Sequence, residues 1–250
     1  MIEIKTAGEI ALMRQAGHVV AGLLQHLAAA IRPGIKTKEL DAEARSYLRR
    51  HGAQPAFLGY RGFPGSICVS INEEVVHGIP GERRISGGDL VSLDAGAVID
   101  GLYADAATTL AVGSVPPHAH RLMETTRRAL EEGIAKVAAG NRLSDISHAV
   151  QRIVEGEGFG VVREFVGHGI GRALHEDPPI PNFGPPGMGP RLRVGMVMAI
   201  EPMVTAGGYE VEVLRDGWTA VTKDRSLAAH FEHTVAVTEH GPVVLTTEEP

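Results

Sequence analysis

The dipeptide Asp100-Gly101 constrains this chain more than any other two residues. It stands between two runs of β-branched or alternating character, 90–98 (LVSLDAGAV) and 102–112 (LYADAATTLAV). A two-residue hairpin turn of type I′ needs positive φ at both central positions, and Asp-Gly supplies them. With that turn, residue 99 faces residue 102, and counting back along both strands puts Asp94 opposite Ala107. Side chains alternate faces along a strand, so Ala107 and Asp105 share a face. Asp94 and Asp105 then become diagonal neighbours, roughly 7–8 Å apart at the backbone. A three-residue loop without a bulge would put them on opposite faces.

Two carboxylates on one half-buried face lose solvation and repel each other unless positive charge lies between them. A bound cation is the simplest remedy. The plain alternative is that one aspartate caps a loop while the other faces solvent, so further ligands are needed to decide. In 164–179 (EFVGHGIGRALHEDPP), His168 sits between two glycines directly after a strand pattern, with His175 seven residues on. The most apolar strand pattern, 195–204 (GMVMAIEPMV), contains Glu201 immediately before Pro202, and a charge there does not read as a solvated face. The segment 228–237 (AAHFEHTVAV) repeats the anomaly with Glu232; alternation puts His230 on the same face and His233 on the other. Two Asp, one His and two Glu make an oxygen-rich set whose four negative charges balance two divalent cations, a known hydrolytic device. Hard donors of this kind favour manganese, iron or cobalt over a thiolate-type zinc site. No H-E-x-x-H, phosphate-binding loop or G-x-S-x-G pattern occurs, and Cys68 has no neighbouring histidine to make it a nucleophile.

The remaining chain frames these residues. Thr6-x-x-Glu9 is a capping box that opens a helix to about residue 31, stopped by Pro33-Gly34. Thr37 is placed to cap a second helix ending near Gly52. Two more are expected, from Pro116-Pro117 to about residue 139 and from Ser144 to about residue 156. Strands are expected at 67–72, 161–166, 196–204 and 230–237 as well as in the hairpin, and the Pro/Gly-rich 177–190 reads as a surface loop. Short connections favour an antiparallel sheet, which makes the fold class α+β. No composition break divides the 250 residues, so a single domain over 1–250 is expected. The net charge of −6, with scattered Lys and Arg, argues against a nucleic-acid surface. A lone cysteine excludes an intramolecular disulfide and fits the cytoplasm, and neither a signal peptide nor a membrane span is visible.

With those five positions in hand, the chain is similar over essentially its whole length to the type I methionine aminopeptidases. The motifs that carry the resemblance are 58–80 (LGYRGFPGSICVSINEEVVHGIP), 93–105 (LDAGAVIDGLYAD), 167–178 (GHGIGRALHEDP), 199–203 (AIEPM) and 222–238 (TKDRSLAAHFEHTVAVT). The resemblance implies the pita-bread fold, a curved antiparallel sheet with two pairs of helices on its outer face. It implies removal of N-terminal methionine from nascent polypeptides, with a small residue expected second. Its metal ligands fall on Asp94, Asp105, His168, Glu201 and Glu232, the five that the anomalies selected, and would hold two divalent ions: cobalt, manganese or iron, with zinc or nickel as further candidates. Glu201 would also accept the proton of the attacking water. His175 would donate to the developing oxyanion, and His77 would contact the peptide beyond the scissile bond. The methionine pocket falls on Phe57, Tyr60, Phe63, Cys68, Leu174 and Trp218. Phe57 is larger than the family pattern and Leu174 replaces an aromatic, and no hydroxyl-bearing residue follows Asp105 where a small one is often found.

The nearest enzymatic rival is an Xaa-Pro aminopeptidase or dipeptidase of the same fold. Such chains usually carry a large extra N-terminal domain, and their strand glutamate is followed by a glycine-containing sequence, unlike Glu201-Pro202-Met203. The spacing from His168 to Glu201 is too short for the helical insertion of the type II methionine enzymes. A non-catalytic pita-bread binding protein would have lost ligands, and this sequence keeps all five and both histidines. A monomer, with at most transient association with the ribosome, is the expected assembly.

Overall fold

The structure, a computed structural model, describes residues 1–247. Leu90–Ile99 and Leu102–Ala111 pair antiparallel with Ile99 opposite Leu102 and Asp94 opposite Ala107. The turn between them has φ of +49° at Asp100 and +77° at Gly101, the left-handed pair a type I′ turn requires. The hairpin is the centre of a nine-stranded sheet. On one side Leu90–Ile99 pairs with Gln54–Pro55 and Ile67–Ile71; on the other, the order continues through Glu232–Thr238, Val197–Ile200, Gly167–Gly169 and Glu176–Ile180. Gly241–Val244 pairs beside Glu232–Thr238, and every pairing is antiparallel.

Alternation divides this sheet into two faces with different work. Val91, Leu93, Ala95 and Ala97 bury against the first helix pair, α1 (Ala7–Ala30) and α2 (Thr37–Arg50), through Val20, Leu23, Leu27, Leu40 and Leu48. Met198, Ile200, Val235 and Val237 bury in the same way against Leu130 of α3 (Pro117–Ile134) and Ile146 of α4 (Leu143–Gly156). Each fully buried aliphatic side chain contributes about 1.5–3 kcal/mol, so these positions hold the sheet in place. The residues between them, Ser92, Asp94 and Gly96 on one strand and Ala199 on another, face the other way.

Thr6 caps α1 as the capping box predicts, the Glu9 carboxylate accepting the Thr6 N–H at 2.8 Å. At α2 the cap is Lys36 instead of Thr37, with the Glu39 carboxylate accepting the Lys36 N–H at 2.7 Å. The Thr37 hydroxyl is taken by Gly81, accepting its N–H at 2.8 Å. The helix expected to reach 139 ends at Ile134, where Lys136 and Val137 donate to carbonyls three residues back and tighten the last turn.

Three strand assignments change more. Of 161–166 only Val161 is strand, as the end of Gly160–Val161 in a small sheet with Met203–Thr205 and Ala228–His230. The runs 196–204 and 230–237 are each two strands, broken at Glu201-Pro202 and at Phe231, with the halves in different sheets. Part of the loop 177–190 is instead strand Glu176–Ile180 on the sheet edge.

Inserting one glycine between Asp100 and Gly101 should turn one aspartate to the helix face. Isothermal titration with Mn²⁺ is expected to show loss of binding in that variant, and unchanged affinity would mean that a bulge absorbs the insertion.

Candidate metal centre and pocket

The sheet register places the five acid and imidazole residues in two neighbouring rows. Asp94 is opposite Ala107, and Ala107 is opposite Glu232; extending the pairing of Glu232–Thr238 with Val197–Ile200 by one residue puts Glu201 beside Glu232. Two residues along the strands, His168 is opposite Ala199 and Ala199 is opposite Thr234. Thr234 in turn lies beside Asp105, whose N–H it accepts at 3.1 Å. A separation of two residues keeps one face, so all five side chains project together from adjacent strands.

Their atoms converge. Asp105, His168 and Glu232 each offer a donor atom within 4.8 Å of the others, and all three residues are buried. His168 Nε2 lies 3.8 Å from Asp105 Oδ2 and 3.6 Å from Glu201 Oε1. His168 Nδ1 lies 2.9 Å from the Gly169 carbonyl. A carbonyl oxygen only accepts, so Nδ1 carries the proton and the Nε2 lone pair is left for the acid cluster. Burial pushes the acidity constants of Asp94, Asp105, Glu201 and Glu232 upward, and for Glu232 the charges of Asp105, Glu201 and Asp94 add to it. Asp94 Oδ1 is enclosed with no hydrogen-bond partner. Crowded carboxylates with an unused buried oxygen, beside an imidazole nitrogen with a free lone pair, suit a divalent cation.

Every side chain singled out from the sequence lines one cavity of about 140 Å³, joined by Arg61. Asp94 faces the buried Cys68 thiol across the strands. Burial holds that thiol well above its ordinary range, which removes it as a nucleophile. Phe63 meets Trp218 edge to face at 5.1 Å between centroids. His175 is exposed at the mouth, its ring between Tyr60 at 5.2 Å and His168 at 4.1 Å. His77 has a φ of +61° and stands edge-on to Phe165 at 5.3 Å. Burial pushes its acidity constant down to about 4, so the ring is neutral at pH 7.

Of the residues that support the site, the sequence pattern singles out His230, on the face of Glu232, and neither Thr234 nor Asn182. The hydroxyl missing beside Asp105 comes from across the sheet: Thr234 Oγ1 is 2.8 Å from the Asp105 carbonyl and 3.2 Å from its Oδ1. Thr234 is two residues from Glu232 and so shares its face, which is the signal that could have found it. Asn182 Nδ2 donates to the Glu201 carbonyl at 2.9 Å and holds the strand break. His230, buried, points Nε2 to within 3.5 Å of Glu201 Oε2.

The sequence profile of metallopeptidase family M24 matches residues 11–239. A methionine aminopeptidase 1 of Bacillus subtilis (strain 168) is 53% identical over 98% of this chain and 99% of its own length. The chain belongs to the methionine aminopeptidases of metallopeptidase family M24. The crystal structure of a methionine aminopeptidase from Thermotoga maritima superposes on it with a TM-score of 0.98 at 48% identity, covering 99% of this chain and 100% of that one. A prolidase from Pyrococcus furiosus shares the fold alone, at a TM-score of 0.81 and 24% identity, with 99% of this chain and 66% of that one covered. The pita-bread fold is thus common to both groups, and the high identity is to the methionine aminopeptidases.

Thr234→Val removes the hydroxyl that orients Asp105 while keeping the side-chain shape. Divalent-ion affinity, measured by titration calorimetry, is expected to fall about 10- to 100-fold with an unchanged circular dichroism spectrum. Undiminished affinity would remove Thr234 from that supporting role.

Proposed function

We propose that residues 1–250 act as one catalytic domain that removes the N-terminal methionine from nascent polypeptides by metal-assisted hydrolysis, with a small second residue preferred. The observation that carries this reading is the convergence of Asp94, Asp105, His168, Glu201 and Glu232 beside an apolar pocket. In this reading the five hold two divalent ions, and their hard oxygen donors favour manganese, iron or cobalt. Such ions supply Lewis acidity, polarising the first peptide carbonyl and making water a stronger acid.

The chain's own residues do the rest. Glu201 takes the proton of the attacking water and hands it to the leaving amine. Its strand ends at Ile200, and Asn182 holds the Glu201 carbonyl at the break before Pro202. His175 donates a hydrogen bond to the carbonyl oxygen as negative charge develops there. His77, neutral, contacts the peptide beyond the scissile bond without adding a cation. Phe57, Phe63, Cys68, Leu174, Tyr60 and Trp218 receive the unbranched, polarisable thioether of methionine. The larger Phe57 and the smaller Leu174 exchange volume across one pocket.

No helix among the described residues is long and apolar enough to cross a membrane. A monomer acting on nascent chains in the cytoplasm, with transient ribosome association, completes the proposal. The Xaa-Pro reading has a shared fold in its favour, whereas the methionine reading has relatives of about half-identical sequence.

Metal-reconstituted protein offered Met-Ala-Ser and Ala-Pro-Ser side by side is expected to release methionine; preference for the proline peptide would overturn the assignment. Glu201→Gln is expected to keep the circular dichroism spectrum and lose about 10²–10⁴-fold in kcat. A near-normal kcat would take the proton-transfer role from Glu201.

A further inference from the structure

Lys5 is a lysine whose side chain is 1% exposed, and none of the chemistry above uses it. Its ammonium pairs with Oε2 of Glu176, whose side chain is 10% exposed. The other oxygen of Glu176 accepts the backbone N–H groups of Arg172 at 2.7 Å and Ala173 at 3.2 Å. One carboxylate therefore gathers three donors and closes the turn 171–176 on itself. That turn carries Leu174 and His175, both lining the pocket.

The two ends of the arrangement are anchored independently. The Lys5 N–H donates to the Gly195 carbonyl at 2.7 Å, and the Gly171 carbonyl accepts from Tyr103, two residues before Asp105, at 2.8 Å. Gly171 is also where the lysine stem passes: a Cβ there would overlap Lys5 Cε, so the glycine leaves the room the stem occupies. Arg172 reinforces the same connection from the surface, pairing with Glu3 at 2.8 Å and with Glu9 in the first turn of α1. Exposed pairs of that kind add little, which leaves the enclosed Lys5–Glu176 pair as the main fastening.

We propose that the Lys5–Glu176 pair is a positioning device for the substrate pocket, fixing the turn 171–176 so that Leu174 closes on the methionine side chain and His175 meets the scissile carbonyl. This rests on the methionine aminopeptidase reading of the site. Removing only the lysine leaves an enclosed carboxylate without its cation, and the turn must open to hydrate it. Replacing both partners by neutral groups removes that need, because a glutamine at 176 still accepts the two backbone N–H groups.

The test compares Lys5→Met with the Lys5→Met/Glu176→Gln double variant in the Mn²⁺-loaded protein. Displacing a positioned group can cost about 10²-fold, and a loss in kcat/KM of that order on Met-Ala-Ser is expected for Lys5→Met at temperatures where the protein stays folded, with Mn²⁺ affinity little changed and a melting temperature that falls in the single variant and recovers in the double. The double variant should recover most of it. Amide hydrogen exchange, read without substrate, should accelerate at Arg172 and Ala173 in Lys5→Met and return towards wild type in the double variant. Unchanged kcat/KM and exchange in Lys5→Met, a parallel fall in Mn²⁺ affinity, or a double variant no better than the single would overturn the proposal. A wild-type protein that releases no methionine would instead overturn the functional reading beneath it, and the exchange data would tell the two failures apart.

Discussion

Four carboxylates crowded onto one face of a sheet set the terms for everything else in this molecule. Water solvates such groups cheaply, whereas burial raises the cost of each charge, and each charge raises the cost of its neighbours. Asp94, Asp105, Glu201 and Glu232 accept both penalties, and Asp94 even keeps an enclosed oxygen without a donor. The arrangement makes physical sense when divalent charge is bound among them. The fold's task is then to hold the set together when nothing in the set favours it.

The sheet does this by parity. Val91, Leu93, Ala95 and Ala97 bury against α1 and α2, and Asp94 between them faces the site. The opposite half of the sheet repeats the scheme, with Met198, Ile200, Val235 and Val237 facing α3 and α4. Burial on one face thereby fixes the direction of the acid and imidazole side chains on the other, since a one-residue slip would exchange core and charge along a whole strand. The strand breaks at Glu201-Pro202 and Phe231 relax this rule locally and deliver flanking segments to a second sheet.

What could be read in the sequence follows the same physics. The Asp94–Asp105 pairing was legible because the turn, the register and the alternation are all local to about twenty residues. Glu201 and Glu232 were legible as charges in apolar runs. The breaks beside them were not, because 196–204 and 230–237 read as continuous strands and only the surrounding sheet decides where each half pairs. The same holds for 161–166, where the strand ends at Val161 and the Val162 N–H still reaches the Met203 carbonyl at 3.1 Å before the chain turns away. Thr234 supports Asp105 through a contact spanning 129 residues, and Lys5 meets Glu176 across 171, separations no local pattern reports. The positions that matter most for chemistry announced themselves by being out of place, while those that steady them look ordinary until the register is known.

The central claim is that divalent charge among these side chains compensates the buried carboxylates. Anomalous diffraction from crystals of the Mn²⁺-loaded protein measures this directly. The account predicts strong anomalous peaks ringed by Asp94, Asp105, His168, Glu201 and Glu232. Peaks elsewhere, or no peak there at saturating Mn²⁺, would contradict it.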